Sequence, residues 1–182
     1  WMSRTHAPLA LLVALTLALT GCGGVDKRGH KSDTAHSPTA AFASEEEALA
    51  AAVAVYDRLT VLADAVGHDG GRDAERLGEV AVGEFLDISV DGFSSWIDKG
   101  WRQVGESTFR DATLQQYSNG PIDAVIVYLC EDITSVDVLD ENGSSVAAPD
   151  RPDTNYFQVS FDLGKDLALK VSGRQRWDER TC

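Results

Sequence analysis

The chain has 182 residues and a formal net charge of −13, from 16 basic and 29 acidic side chains. This length suits one domain with its own core and is too short for two domains of ordinary size. Hydrophobic residues make up 43% of the chain, which excludes a wholly disordered protein. The negative charge repels phosphate backbones, so we expect no nucleic-acid partner. The three cysteines are an odd number that needs an explanation.

An apolar run of thirteen residues, 7–19, follows Arg4 and His6 near the start of the chain. It is too short to span a bilayer of about 30 Å and has the length of the apolar region of a secretory signal peptide. The next residues, Leu19-Thr20-Gly21-Cys22, resemble the lipobox of bacterial lipoproteins. The resemblance implies that residues 1–21 are a lipoprotein signal peptide. It also implies that Cys22 carries a lipid, which anchors the protein on the extracytoplasmic face of the cell membrane.

Two cysteines remain once Cys22 is assigned to the lipid. An exported protein meets an oxidising compartment, where such a pair is usually bridged. A bridge between Cys130 and Cys182 would stabilise the fold by roughly 3–4 kcal/mol through loop closure. The alternative is a reactive thiol, which needs a cationic setting. Glu131 and Asp132 follow Cys130 directly, so the setting of this cysteine is acidic and does not favour a reactive thiol. We therefore predict the disulfide.

Residues 22–43 are rich in Gly, Ser, Thr, His and charge, which is typical of a flexible tether. The folded domain is predicted over residues 44–182. It begins at Ser44, where Ser44 and Glu47 fit a capping box, and a stripe of apolar residues spaced three and four apart continues to Val66 as one long helix. Two shorter helices are predicted by similar spacing, the second around Leu77, Val80, Ala81 and Phe85, the third around Phe93, Trp96, Ile97 and Trp101.

After Gly105 the apolar residues alternate, which predicts strands. The segment 124–130 is apolar on both faces and is predicted to be a central strand. Asn142-Gly143 indicates a hairpin-type turn, and further alternating strands are expected over 156–163 and from Leu167 to Val171. Helices followed by antiparallel strands predict an α+β domain with the helices on one face of a curved sheet.

This order of elements resembles the nuclear-transport-factor-2-like, or cystatin-related cone, superfamily. It resembles more specifically a group of actinobacterial lipoproteins with a lipobox, a polar tether, a Cys-x-Asp strand and a final Trp-bearing strand that ends near a Cys. Here those elements are Cys22, the segment Cys130-Glu131-Asp132, and Trp177 followed by Cys182. The resemblance implies a cone-like fold that can enclose a pocket between the long helix and the sheet.

Four aromatic residues are candidates to line such a pocket: Tyr56, Trp96, Trp101 and Tyr128. Asp57 and Asp123 are possible acids, although Asp57 is expected to face water, and ordinary core packing remains an alternative role for each aromatic residue. The commonest hydrolase motifs and the calcium- and phosphate-loop spacings are absent from the sequence. We therefore assign no catalytic residue, metal site or cofactor.

Charge is spread unevenly along the chain, because residues 45–98 hold thirteen acidic and three basic side chains. The acidic side chains of this helical half are suited either to contact with water or to contact with a basic partner. We expect a membrane-anchored lipoprotein with a non-catalytic binding or accessory domain for an envelope protein or a small apolar ligand. Two alternatives stay open: an isomerase- or cyclase-type enzyme, and a structural subunit of an envelope transport or cell-wall complex.

Overall fold

The computed structural model describes residues 42–118, 124–164, 168–177 and 180–182, which all belong to one compact unit. The predicted signal peptide, the lipobox with Cys22 and nearly all of the predicted tether lie outside the described residues. The elements in chain order are α1 (Glu45–His68), a short 3₁₀ helix (Ala74–Glu79), α2 (Gly83–Lys99), β1 (Arg102–Val104), β2 (Thr108–Tyr117), β3 (Ala124–Asp132), β4 (Asp137–Leu139), β5 (Thr154–Leu163) and β6 (Leu169–Arg176).

Helix α1 begins where the capping signal predicts. The Ser44 hydroxyl accepts a hydrogen bond from the Glu47 backbone N–H at 3.2 Å. The Glu47 carboxylate in turn accepts one from the backbone N–H of Ala43 at 2.6 Å, one residue before the cap. The first bond satisfies an N–H group that the first turn of a helix leaves without an intrahelical acceptor, and the second ties the residue before the cap to the helix.

The predicted second helix is wrong in its extent. Only a 3₁₀ helix forms around Leu77, and Phe85 belongs to α2. Between them the backbone is drawn onto strand β6: the Val82 N–H donates to the Val171 carbonyl at 2.9 Å, and the Val171 N–H donates to the Val80 carbonyl at 2.8 Å. Since an extended segment is needed for these bonds, one continuous helix cannot include residues 80–82.

The predicted third helix exists as α2 but ends before Trp101. Gly100 adopts a left-handed conformation with φ 65°, and the Trp101 N–H donates back to the Trp96 carbonyl at 3.0 Å. This is the Schellman geometry that closes a helix at glycine. Trp101 therefore lies in the connection to β1.

The main sheet is antiparallel with the strand order β2-β3-β5-β6, and β1 and β4 form a separate two-stranded sheet. Strand β3 lies in the interior of the main sheet, as its two apolar faces predict. Asn142 and Gly143 lie in a turn after β4, where Gly143 has φ 80° and the Val146 N–H donates to the Val138 carbonyl at 2.8 Å. The predicted turn therefore forms, although its returning arm is a single bridge to Leu139.

The core lies between the helices and one face of the main sheet, here called the inner face. Val125, Val127 and Leu129 point inward from β3 and pack with Val159 and Phe161 of β5. From the helical side the buried residues are Ala48, Ala52, Tyr56, Leu59, Val66, Ala74 and Leu77. The α+β class with helices packed on an antiparallel sheet is thus confirmed. Within the described ranges, no helix is long and apolar enough to cross a membrane.

Candidate functional site

A groove opens on the inner side of the sheet, between α1 and α2. Its volume is about 220 Å³. Helix α1 contributes Tyr56 and Asp64, helix α2 contributes Phe93 and Trp96, and the strands contribute a polar floor. The complete lining is Tyr56, Leu59, Thr60, Ala63, Asp64, Phe93, Trp96, Gln103, Ser107, Glu131, Ile133, Val136 and Arg174.

The floor of the groove holds a hydrogen-bonded triad of Tyr56, Glu131 and Arg174. The Tyr56 hydroxyl donates to Glu131 Oε1 at 3.1 Å, and Arg174 Nη1 donates to the same oxygen at 3.0 Å. Arg174 Nη1 also lies 3.4 Å from the Tyr56 hydroxyl oxygen. The side chain of Glu131 is 12% exposed and that of Arg174 is 34% exposed. The Glu131 carboxylate is therefore nearly buried, and its charge is balanced by Arg174. Part of the Arg174 guanidinium reaches the groove.

The strand positions explain why these side chains meet. Glu131 continues the inward-pointing series Val127 and Leu129 at the end of β3. Arg174 reaches across β5, where its guanidinium lies 4.7 Å from the centroid of the Phe157 ring. Tyr56 is 1% exposed and packs edge-on against Phe109 with ring centroids 5.0 Å apart.

Tyr56 is a hydrogen-bond donor at physiological pH. Burial is the main cause that raises the pKa of the Tyr56 hydroxyl well above its usual value, and the negative charge of Glu131 adds to it. The hydroxyl thus keeps its proton and directs it at the carboxylate. This arrangement holds the Glu131 carboxylate in place and does not supply a phenolate base.

A second buried carboxylate, Asp64, has a different role beside the groove. Its oxygens accept hydrogen bonds from Gln103 Nε2 at 2.6 Å, from the Ser107 N–H at 2.8 Å and from the Ser107 hydroxyl at 2.8 Å. Gln103 also packs so close to α1 that a Cβ on Gly67 would lie 2.7 Å from its Oε1. Since its partners come from β1 and the connection to β2, Asp64 fastens that segment to α1.

The opposite wall is apolar and formed by α2. Phe93 and Trp96 pack edge-on with ring centroids 5.3 Å apart, and both also line an adjoining pocket of about 400 Å³ along α2. None of the residues of α2 is fully buried, and Ile88 on this helix is 63% exposed. Phe85, Leu86, Val90 and Phe93 pack against the core, while the part of the apolar side of α2 that lines these pockets keeps contact with solvent.

The structure brings together only two of the four predicted pocket residues. Tyr56 and Trp96 line the groove. The prediction is wrong for Trp101, which lies in a separate shallow pocket under Lys99, whose Nζ is 4.3 Å from the ring centroid. It is also wrong for Tyr128, because strand alternation turns this residue to the outer face, where it stacks on Tyr156 with centroids 5.7 Å apart.

The remaining candidate groups are placed as follows. Asp57 is exposed, and Asp123 lies outside the described residues. His68 is exposed, and its Nε2 lies 2.8 Å from the Gly105 carbonyl oxygen. In the described part of the chain, no three His, Cys, Asp or Glu side chains are grouped so that they could hold a metal ion.

The structure joins Cys130 to Cys182 in a disulfide, with the two Cα atoms 5.6 Å apart and 52 positions apart in the chain. Cys130 is buried on β3, and Cys182 is exposed. The bridge therefore fixes the segment after β6 to the middle of the sheet, next to the aromatic residues of its outer face.

Sequence comparison identifies no relative, since no protein-family model and no curated protein matches the chain. Solved structures also match the chain, among them the following two. The intermembrane-space region of the chloroplast protein ARC6 matches with a TM-score of 0.51 and 16% identity over 70% of this chain and 95% of that region. A protein from Catenulispora acidiphila matches with a TM-score of 0.44 and 13% identity over 70% of this chain and 91% of that one.

The likeness to the ARC6 region concerns the fold alone. At 16% identity the likeness to the ARC6 region shows a shared α+β arrangement. The chain is an α+β domain with an antiparallel sheet, and the function of its groove must be argued from its own side chains.

Proposed function

We propose that this chain is a lipoprotein anchored through Cys22 on the extracytoplasmic face of the cell membrane, and that its domain is a non-catalytic binding module. The lipobox Leu19-Thr20-Gly21-Cys22 after a short apolar run supports the anchor. The disulfide between Cys130 and Cys182 supports an oxidising compartment. Two acyl chains on one cysteine give stable attachment, where one chain alone is marginal.

The observation that carries the binding role is the groove, with its apolar wall and polar floor. Phe93 and Trp96 offer aromatic surface to an apolar group, and Arg174 offers a partly exposed cation at the end of that surface. Ligand sites of this kind combine a mostly apolar lining with a few converging polar groups. The groove thus suits a small apolar ligand, or an apolar side chain of an envelope protein, that carries one polar acceptor.

The non-catalytic role follows from how the polar groups are used. Glu131 already accepts hydrogen bonds from Tyr56 and Arg174, and Asp64 already accepts three. A general base needs its acceptor atoms directed at the substrate proton. Here the carboxylates hold the walls of the groove together.

Membrane fractionation combined with photo-crosslinking tests both parts of the proposal. Wild type should sediment with membranes as the cleaved form, and Cys22→Ala should give no cleaved form that sediments with membranes. A photo-reactive amino acid at position 96, in the groove, should give adducts in intact cells, and the matched substitution at position 101 should not. A cleaved, membrane-bound form of Cys22→Ala would refute the anchor, and equal adducts at both positions would refute the groove as the binding site.

One observation favours a second candidate, a proton-transfer enzyme of the isomerase or cyclase type. Glu131 lies beside a protonated Tyr56 in a groove open to ligands, and such a pair is an acid–base arrangement. This candidate predicts that the full chain converts a β,γ-unsaturated cyclic ketone to its conjugated isomer, whose stronger ultraviolet absorbance reports the reaction. Glu131→Gln should abolish this rise in absorbance. Equal rates for wild type and Glu131→Gln would exclude it.

A further inference from the structure

The outer face of the main sheet carries a group of aromatic rings that the groove does not use. Tyr128 stacks on Tyr156 with an interplanar angle of 23°, and Trp177 lies against Tyr128 with ring centroids 5.2 Å apart. All three rings are only partly buried. Together with Arg180 they are here called the outer aromatic surface.

Two shallow pockets border this surface, with volumes of about 270 and 320 Å³. Trp177 and Arg176 line both of them. Besides Arg180 and Tyr156, the other polar lining residues are amides and hydroxyls, namely Asn155, Gln158, Gln175, Thr154 and Thr181. Amide and hydroxyl side chains each present a donor and an acceptor, which matches the vicinal hydroxyl groups of a sugar.

Among the described residues of this surface, the charged side chains are arginines. The chain carries a net charge of −13, yet no carboxylate is found among the described residues that line the two pockets. Arg180 donates from Nη1 to the Tyr156 hydroxyl at 3.2 Å. Its guanidinium lies 5.6 Å from the ring centroid of Tyr156 and 5.8 Å from that of Trp177. A cation is therefore held over the aromatic rings.

The disulfide restricts the position of the Arg180 guanidinium. Arg180 lies two residues before Cys182, which is bonded to Cys130 in the middle strand of the sheet. A fixed charge loses less entropy on binding than one at a free chain end.

We propose that the outer aromatic surface is a binding site for an acidic saccharide. The apolar face of a pyranose ring packs on Trp177, the amides and hydroxyls of the two pockets pair with its hydroxyl groups, and its carboxylate pairs with Arg180. Aromatic side chains supply rigid contact area at low entropic cost, and an arginine–carboxylate hydrogen bond supplies charge-assisted specificity. A purely apolar ligand would cover the amides without pairing with them.

Binding measurements on the full chain in mild detergent test this proposal with three probes of defined chemistry. They are a galacturonate oligosaccharide, which is an acidic sugar; a glucose oligosaccharide of equal length, which is neutral; and polyglutamate, which is acidic without sugar rings. The galacturonate probe should bind most tightly. Raising the salt concentration should weaken its binding towards that of the neutral sugar, because the exposed ion pair is screened.

Substitutions locate the site. Trp177→Ala should weaken galacturonate binding about tenfold, and Arg180→Gln about fivefold or more, without changing binding of the glucose probe. Trp101→Ala, at a tryptophan on another part of the surface, should leave binding unchanged. Because Arg180 is exposed, its substitution tests the site even if Trp177→Ala unfolds the protein. Absent galacturonate binding, equal binding of polyglutamate, or insensitivity to Arg180→Gln would each overturn the proposal.

Discussion

The two faces of the main sheet are built from the same strands and have different chemistry. On the inner face, apolar side chains such as Val127 and Phe161 are buried under the helices, and the polar groups Tyr56, Glu131 and Arg174 satisfy one another. On the outer face, aromatic rings remain partly exposed, and a disulfide fixes the last residue of the chain beside them.

The difference shows which side chains of this domain contribute to stability and which are available for recognition. A side chain buried on the inner face contributes mainly to folding, and the groove exists because α2 leaves part of that face open. A side chain on the outer face contributes less to folding and is available for contacts. Substitutions at matched positions on the two faces should therefore differ in stability cost.

The largest difference is expected between two tyrosines. Tyr56→Ala should lower the free energy of unfolding by about 4 kcal/mol, because the ring is fully buried and its removal leaves a cavity and an unpaired carboxylate. Tyr128→Ala should cost about 1–2 kcal/mol, because its ring keeps solvent contact. Urea unfolding of both variants measures the difference, and equal costs would mean that the two faces are not energetically distinct.

Loss of the disulfide should be the largest effect that arises on the outer face. Cys182→Ser should lower the free energy of unfolding by roughly 3–4 kcal/mol through the entropy of the opened loop. Since Cys182 is exposed, the substitution creates no cavity. Reductant should destabilise the wild type by a similar amount and leave Cys182→Ser unchanged. A reductant effect in the variant would contradict the assignment of the bridge.

Gly71 controls how closely α2 approaches the end of α1. Its φ is 86°, and a Cβ there would lie 2.0 Å from the Phe93 carbonyl oxygen. Gly71→Ala should therefore cost about 3 kcal/mol, from backbone strain and from displacement of α2.

Gly143→Ala is the matched control, since Gly143 has φ 80° and a Cβ added there would meet no atom within 4 Å. It should cost only about 1 kcal/mol, from the backbone conformation. Thermal unfolding compares the two variants, and equal shifts in Tm would show that the contact with Phe93 is unimportant.

The smallest effect is the pH dependence that Tyr56 imposes. Burial raises the pKa of its hydroxyl above the value in the unfolded chain, so the native state holds this proton more tightly. The resulting stabilisation is fully present below pH of about 10 and is lost as the pH rises above it. Tyr56→Phe should cost about 1 kcal/mol near neutral pH.

The difference in unfolding free energy between the wild type and Tyr56→Phe measures this linkage. Above pH of about 10, the difference should shift against the wild type by at most about 1.4 kcal/mol per pH unit. A constant difference across this range would show that the Tyr56 proton is not held by the fold.

The sequence predicts the class of the fold and the positions of most elements, because apolar spacing distinguishes helix from strand. It misplaces the second helix, since the hydrogen bonds between residues 80–82 and Val171 are made to a strand almost ninety positions later in the chain. Such long-range contacts override local spacing.

The sequence predicts the candidate site only in part, for reasons that particular residues make clear. Glu131 could have been found, because it continues the inward series from Val127 and Leu129. Arg174 could not. A register shift opposite Ser160 and Phe161 inserts one residue into β6 and moves Arg174 to the same face as Val171. Gly173 lies at this bulge, and a glycine inside a strand can indicate one, but the glycine alone does not predict which face Arg174 takes.

The central claim is that the domain binds through its inner groove, and a fluorescence titration tests it most directly. The neutral apolar probe N-phenyl-1-naphthylamine should bind the full chain, solubilised in mild detergent, at one saturable site above the detergent background. Binding should be lost in Trp96→Ala, which alters the groove, and kept in Trp177→Ala, which alters the outer face. Binding that survives Trp96→Ala but is lost in Trp177→Ala would contradict the account.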